Sequence, residues 1–167
     1  LQVFHLSGNE DLTNETLMHC KDLVNLKVLN LQRCYGINDL APLKDCLNLE
    51  ELDVSFCDEL SDDSFKVFSE EPNSFRNLRV LRLSSCPKLT GKVFEHLAKN
   101  NHLVYQLKEV DVLGMRKILS SSAARNNLYQ LKGLRRLRGI LSSTSESPEN
   151  EQKGELMRSL KNLEEVD

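Results

Sequence analysis

The chain has 167 residues, of which 22 are Lys or Arg and 25 are Asp or Glu, so its formal net charge is −3. This slight acidic excess argues against a general binder of nucleic acids or membrane surfaces, because non-specific binding to phosphates draws on a basic surplus. Apolar residues make up 40% of the chain and aromatic residues 5%, which predicts a globular protein with an aliphatic core. No apolar run approaches the about 20 residues that a membrane-spanning helix requires, and we expect no membrane contact.

One pattern, Leu-x-x-Leu-x-Leu-x-x-Cys-x-x-Leu, recurs along the chain with few exchanges. Its clearest copies begin at Leu26, Leu49 and Leu78, and each has a cysteine eight residues after its first leucine. Further and more altered copies begin at Leu1, Leu107, Leu134 and Leu163. Successive starts are separated by 25, 23, 29, 29, 27 and 29 residues, a spacing that indicates a repeat protein.

Each copy predicts a short strand followed by a return segment. The leucines that alternate along the strand point to one face, and a single copy cannot bury that face alone. We therefore expect the copies to stack into one parallel sheet over a shared core. Polar residues before apolar ones indicate helix starts at residues 61–64 and 90–91. The return segment at residues 39–43 is short, and its Pro42 is tolerated in a first helical turn.

The pattern weakens in the last third of the chain. Gly139 occupies a position that leucine or valine holds in most other copies, and we expect it to weaken the packing there. Residues 142–154 have no large apolar side chain and are expected to form a mobile loop. The expected organisation is a single array over residues 1–167 with about six to seven repeats, incomplete at both ends, regular over 1–119 and degenerate over 120–167.

The residues that follow each strand carry a family resemblance. They read Cys34-Tyr35-Gly36-Ile37-Asn38-Asp39, Cys57-Asp58-Glu59-Leu60-Ser61-Asp62 and Cys86-Pro87-Lys88-Leu89-Thr90-Gly91. Together with the preceding leucines they resemble the cysteine-containing subclass of leucine-rich repeats. The resemblance implies an α/β solenoid with a curved parallel sheet on the concave face and helices and loops on the convex face. This subclass is typical of F-box substrate receptors of Skp1–cullin ubiquitin ligases, and it also occurs in proteins without an F-box.

The five cysteines are interpreted as structural. Their number is odd and no two of them stand close together in sequence, which argues against a disulfide framework and against a metal site. We expect Cys34, Cys57 and Cys86 to stack behind the strands as small apolar rungs whose thiols donate weakly to the turn backbone. Free buried thiols fit a reducing compartment, so we expect an intracellular, cytoplasmic or nuclear protein, with the mitochondrial matrix left open.

The residues between the leucines are expected to point to the concave side of the sheet. The position between the second and third leucine holds His5, Asn30, Asp53, Arg82, Asp111, Arg138 and Asp167. Two interpretations remain open for the charged residues in this row. They neutralise one another across neighbouring strands, at about 0–1 kcal/mol per exposed pair, or they form a recognition surface. In the second case a partner's carboxylate or phosphate recruits the arginines. An intermediate case is also open, in which the internal pairs hold the arginines in place until a partner competes.

Two further clusters are candidates for binding. Arg135, Arg136 and Arg138 lie in one predicted strand, between acidic residues of the flanking strands that could absorb their charge. Arg33 and Phe56 share the position before the cysteine, where Phe56 is either an exposed interface anchor or packed under a neighbouring loop. The candidate partner-binding residues are Asn30, Arg33, Asp53, Phe56, Arg82, Asp111, Arg135, Arg136 and Arg138.

No arrangement of residues in the sequence indicates catalysis, a metal or a cofactor. The four histidines stand at no catalytic spacing from other polar residues, and the seven glycines are too dispersed for a phosphate-binding loop. We expect a non-catalytic protein–protein interaction module that binds a protein through its concave face or open repeat edges. The favoured role is partner recognition in an F-box ubiquitin ligase receptor, which would reach the Skp1–cullin machinery through a segment outside this chain. The alternatives are a scaffold or assembly subunit without a ubiquitin role and, less favoured, a module that contacts nucleic acid.

Overall fold

A computed structural model describes residues 1–115, 118–139, 154–155 and 158–166. Within these residues, seven short strands form one sheet in which every neighbouring pair is parallel and the spatial order follows the chain order. The strands are β1 (Val3–His5), β2 (Val28–Asn30), β3 (Glu51–Asp53), β4 (Val80–Arg82), β5 (Glu109–Asp111), β6 (Arg136–Arg138) and β7 (Glu165–Val166). The predicted α/β solenoid with a parallel sheet is confirmed.

The register of the sheet follows the leucine pattern. Leu29 lies opposite Leu52, and Leu52 lies opposite Leu81, so the central residue of each strand meets its counterpart in the next repeat. Leu29, Leu52 and Leu81 are fully buried, whereas the residues on either side of them are partly exposed. Because side chains alternate between the two faces of a strand, one leucine position is enough to set the face of its neighbours.

The return segments are helical, and their helix content differs from repeat to repeat. The short second repeat has a single 3-10 turn at Ala41–Leu43, whereas the fourth repeat has two α-helices. The α-helices are α1 (Asn14–Leu17), α2 (Lys66–Glu70), α3 (Val93–Lys99), α4 (Asn101–Gln106) and α5 (Ser122–Leu128), with further 3-10 turns at Met18–Asp22 and Asp62–Phe65. None of the helices in the described part of the chain has the length and apolar character needed to cross a bilayer.

The core lies between the sheet and the return segments. It is mainly aliphatic, as the composition predicts, but it includes stacked aromatic rings in the third repeat. The rings of Phe65 and Phe68 lie 5.3 Å apart between centres, and those of Phe68 and Phe75 lie 4.0 Å apart. These bulky side chains are fully buried and fill the wider space that a 29-residue repeat leaves behind its strand.

Two expectations for the last third of the chain have different outcomes. The packing defect expected at Gly139 stays a prediction, but the residue has a φ of 81° and a Cβ there would overlap the backbone of Leu113. Glycine is therefore required by the turn that ends β6. Of the mobile loop expected at residues 142–154, all but Gly154 lie outside the described residues, and Gly154 itself is helical.

Candidate partner-binding face

The candidate residues fall into two groups on the structure. Asn30, Asp53, Arg82, Asp111 and Arg138 end successive strands and lie in register across the sheet. Arg135 and Arg136 are at the start of β6, whereas Arg33 and Phe56 lie in the turns that follow β2 and β3. The first group lies on the concave face, and Arg33 and Phe56 lie on the edge formed by the turns that follow the strands, called the turn edge.

The short acidic and amide side chains at the strand ends are held by their own turns. The Asn30 Oδ1 atom accepts the backbone N–H of Gln32 at 2.9 Å, and Asp53 accepts that of Ser55 at the same distance. Asp111 accepts the N–H of Leu113 at 2.9 Å and the Ser84 hydroxyl at 2.7 Å. A hydrogen bond from the backbone N–H two residues later to a side-chain oxygen stabilises the turn. Asn30, Asp53 and Asp111 therefore contribute to the structure of the turns.

The ion pairs of the concave face link neighbouring strands, diagonally at Arg82 and directly across the register at Arg136. Arg82 lies 3.3 Å from Glu51 and 3.5 Å from Glu109, measured between guanidinium nitrogens and carboxylate oxygens. Arg136 lies 3.7 Å from the same Glu109 and 3.1 Å from Glu165. A chain of alternating charges thus crosses β3 to β7, and its central carboxylate, Glu109, has a side chain only 15% exposed.

This arrangement corrects one expectation. In the first interpretation of the row, Arg82 is neutralised by Asp53 and Asp111, but among the described residues its ion pairs go to glutamates of the adjacent row. The reason is that the aspartate side chains are short and already accept hydrogen bonds from their turns. Arg138 lies opposite Asp111 in the register, and Asp167 lies outside the described residues.

A second row of charges lies just before the strands. Lys27 pairs with Glu50 at 2.8 Å, and this ammonium group lowers the pKa of the Glu50 carboxyl chiefly through their hydrogen bond. Arg135 pairs with Glu164 at 3.6 Å. The positive charges of Arg135 and Arg136 are thus opposed by carboxylates. The acidic residues of the flanking strands were expected to absorb the charge of this cluster.

The turn edge has a backbone feature that the sequence analysis missed. Five successive repeats have a left-handed residue at the position before the cysteine. These residues are Gly8, Arg33, Phe56, Ser85 and Gly114, with φ values of 74°, 59°, 60°, 55° and 81°. Their N–H groups continue the ladder beyond the strands, as when Phe56 donates to the carbonyl of Ser84 at 2.8 Å. Gly8 and Gly114 at this position were the available signal, because glycine favours this conformation.

Arg33 and Phe56 come together at this edge. The guanidinium carbon of Arg33 lies 5.1 Å from the centre of the Phe56 ring, within the range of a cation–π interaction. Phe56 is 36% exposed, so its ring packs beneath a neighbouring arginine and keeps contact with solvent. The arrangement combines features of both interpretations offered for this residue.

A cavity of about 660 Å³ opens further along the same edge, between the turns of the fourth and fifth repeats. Leu89, Met115 and Ile118 give it an apolar floor, and Asp58 and Ser85 contribute polar groups to its wall. The turn edge therefore offers both an exposed aromatic ring and a recess that an apolar side chain could enter.

The cysteines form the expected rungs. The thiols of Cys34, Cys57 and Cys86 each donate to a carbonyl of the preceding repeat at 3.2 Å. Burial raises the pKa of Cys57 to about 12 and that of Cys86 to about 11, so both thiols are protonated at neutral pH. In the described residues, no three His, Cys, Asp or Glu side chains are grouped so as to hold a metal ion.

Comparison with known proteins defines the fold. No family model matches the sequence. An internalin (inlF) from Listeria monocytogenes str. 4b F2365 is similar in structure, with a TM-score of 0.52 and 13% identity over 90% of this chain and 43% of that chain. An internalin C2 (inlC2) from the same strain has a TM-score of 0.57 and 16% identity over 99% and 66%. The actin-binding site 2 of leiomodin-1 has a TM-score of 0.57 and 13% identity over 96% and 79%.

These similarities, together with the parallel sheet and its leucine rungs, show that the chain has the leucine-rich repeat fold. The chain spans less than half of the first internalin and about two thirds of the second. At these identities the likeness extends to the fold alone.

Proposed function

We propose that this chain is a non-catalytic protein-interaction module that binds a partner protein through its concave face. The observation that carries the proposal is Arg82, held between Glu51 and Glu109 near the middle of the sheet with its side chain 33% exposed. A guanidinium fixed in this way loses little conformational freedom when it meets a partner. Arginine is also enriched among the residues that dominate protein interfaces.

The ion pairs of Arg82 support the interpretation in which internal carboxylates hold an arginine until a partner competes. Exposed pairs contribute about 0–1 kcal/mol each, so a well-placed carboxylate of the partner displaces one of them at small cost. The same paired state argues against a nucleic-acid role. Arg82, Arg135 and Arg136 lie beside glutamates that would repel a continuous phosphate backbone.

The turn edge is a second contact region within this proposal. Phe56 offers an exposed aromatic face and Arg33 an exposed guanidinium, and both residue types are common interface anchors. The neighbouring cavity would accept an apolar side chain of the same partner. We propose that the whole chain, residues 1–167, acts as one array, since one continuous core runs from Leu12 to Val166.

The finer role that we propose is partner recognition in an F-box-type receptor of a Skp1–cullin ubiquitin ligase. The support for it is the regular series of cysteine rungs, each donating to the carbonyl of the repeat before it, in the pattern that resembles the cysteine-containing subclass. Buried free thiols favour a cytoplasmic or nuclear site of action, with the mitochondrial matrix still open.

A scaffold or assembly subunit without a ubiquitin role is the second candidate, and one observation favours it. The first repeat exposes several large apolar side chains that a neighbouring subunit would cover. These are Leu1, Val3, Met18 and Val24, which are 65%, 47%, 56% and 64% exposed. Binding through this repeat edge would leave Arg82 outside the interface.

Affinity purification of the full-length protein tests these proposals. The matched variants are Arg82→Glu and Lys99→Glu. Lys99 pairs with Glu95 on α3 on the convex side, so its reversal makes the same change in net charge away from the concave face. We expect Arg82→Glu to weaken capture of the natural partner at least about tenfold, as for an interface arginine, and Lys99→Glu to leave it unchanged. Equal capture by both variants would remove Arg82 from the site. Co-purification of Skp1 would separate the ligase role from the scaffold role.

A further inference from the structure

The row of residues just before the strands has an uneven distribution of charge. Backbone hydrogen bonds join its members in sequence. The N–H of Arg79 donates to the carbonyl of Glu50 at 2.7 Å, that of Lys108 to Arg79 at 2.8 Å, and that of Arg135 to Lys108 at 2.8 Å. Neighbouring parallel strands lie about 4.8 Å apart, so three cationic residues stand side by side.

The cations at the outer positions of this row are neutralised, whereas the two central ones are not. Lys27 pairs with Glu50, and Arg135 pairs with Glu164. Within the described part of the chain, Arg79 and Lys108 have no carboxylate at ion-pairing distance. Arg79 acts on Glu50 only through a longer-range Coulombic attraction that helps to lower the pKa of Glu50, and the Lys108 ammonium donates to the carbonyl of Tyr105 at 2.6 Å. A local surplus of two positive charges therefore remains on adjacent strands, where like charges repel.

The size of this surplus indicates the ligand. A phosphorylated side chain carries about −1.5 to −2 charges at neutral pH and three acceptor oxygens. It would neutralise both cations at once, with the Arg79 guanidinium able to bind two oxygens and Lys108 acting as a point charge. A single carboxylate would leave one positive charge in place. The Tyr105 side chain beside Lys108 is 66% exposed and is available to pack against the flanking residues of a peptide.

We propose that Arg79 and Lys108 form a recognition site for a phosphorylated serine or threonine of the partner protein. This inference rests on the proposed protein-binding function and adds the chemistry of one contact. A peptide fits better than a nucleic acid because the site is flanked by carboxylates. Glu50 borders Arg79 on one side, and on the other side Arg135 with its partner Glu164 follows Lys108, so an isolated phosphate is accepted where a continuous polyanion would meet both carboxylates.

The test is a titration of the whole chain followed by backbone amide NMR, with the blocked tripeptide acetyl-Ala-phosphoserine-Ala-amide as the probe. We expect saturable shifts at the amides around residues 79 and 108. We expect Arg79→Gln and Lys108→Gln each to weaken binding about tenfold, the loss typical of a charge-assisted hydrogen bond. Lys99→Gln, which removes the same charge from the convex side, should leave the affinity unchanged, and the amide spectra show directly that each variant is folded.

Three outcomes would overturn the proposal. The first is an unchanged affinity in Arg79→Gln and Lys108→Gln. The second is equal binding of the matching glutamate tripeptide, and the third is tighter binding of inorganic phosphate or an oligouridylate than of the phosphopeptide. None of these results bears on partner capture through Arg82, which lies in the ion-pair chain of the concave face, so the two proposals fail separately.

Discussion

The Cys57 thiol donates to the carbonyl of Leu31 in the preceding repeat at 3.2 Å, in a site where the side chain of Cys57 is completely buried. This contact joins two repeats behind the sheet, beyond the reach of the strand hydrogen bonds. A thiol is small enough to fit and donates weakly, so it satisfies the carbonyl without introducing a strongly polar group. The ionised form cannot donate to this carbonyl and carries a buried charge, and that difference has a measurable effect on stability.

We expect the free energy of unfolding to fall as the pH rises above 9. Burial raises the pKa of Cys46 and Cys57 to about 12 and of Cys86 to about 11, from an ordinary value of 9.0. A thiol with a raised pKa in the folded state stabilises fully below pH 9, and this contribution is lost as the pH rises toward the folded value. Each such thiol should account for a loss of about 1 kcal/mol per pH unit.

Urea unfolding at pH 7.5, 9 and 10 measures this slope, and Cys57→Ala provides the control. The variant is less stable at every pH because it loses packing, but its stability should decline less steeply above pH 9. Parallel curves for the variant and the parent chain would contradict the prediction, since lysine and tyrosine titration is common to both.

Glu109→Gln should destabilise the fold by about 1 kcal/mol at low ionic strength. The carboxylate lies between Arg82 and Arg136 with its side chain 15% exposed, so its removal leaves two guanidinium groups facing each other. The loss should shrink in 0.5 M NaCl because salt screens the repulsion. Glu164→Gln removes a carboxylate that is 63% exposed and should change stability by less than about 0.5 kcal/mol. Thermal unfolding at two salt concentrations distinguishes the two variants.

Gly114→Ala tests the left-handed residues of the turn edge. The substitution should cost about 2 kcal/mol, because φ is 81° and the added Cβ would lie 2.5 Å from the Ser85 hydroxyl oxygen. Gly8→Ala, at a φ of 74° with open space around the Cβ, should cost about half as much, since it adds strain without a clash. In a Ser85→Gly background the two substitutions should become equally costly. If they differ there as before, the clash is not the cause.

Asn100→Asp should lower the free energy of unfolding by about 3 kcal/mol. Asn100 is 1% exposed and lies between α3 and α4. Its Nδ2 group donates to the carbonyls of Phe68 and Ser74, while its Oδ1 atom accepts the N–H groups of His102 and Leu103. A carboxylate keeps the acceptor but loses both donors and buries a charge. Asn101→Asp, on an exposed neighbour, should change stability by less than about 0.5 kcal/mol in the same denaturant titration.

The sheet could be predicted from the sequence because its register depends on burial. Leu31, Val54 and Leu83 recur at one position, and a slip by one residue would turn them toward solvent. The ion pairs could not be predicted in the same way. The pattern of ion pairs depends on which carboxylates already accept hydrogen bonds from backbone N–H groups of a turn. Asp53 and Asp111 do so. The left-handed turn was hidden because Arg33, Phe56 and Ser85 occupy it in three of its five repeats.

The candidate site remains a prediction at the level of individual residues. The sequence pointed to arginines on the concave face, and the structure adds which of them are held by neighbours. It also adds that Arg79 and Lys108 have no ion pair among the described residues, which the sequence could not show. Their significance depends on neighbouring strands, and adjacency across a parallel sheet joins residues 27–29 positions apart.

The second and third repeats differ by six residues in length, yet their strands stay in register with the rest of the sheet. The difference is confined to the back of the molecule, where one 3-10 turn replaces longer helical segments. Segments behind the sheet can therefore be exchanged or shortened by whole turns without altering the spacing of the side chains in front. This makes the fold a practical scaffold for engineering, in which thermal robustness and ligand choice are adjusted through different parts of each unit.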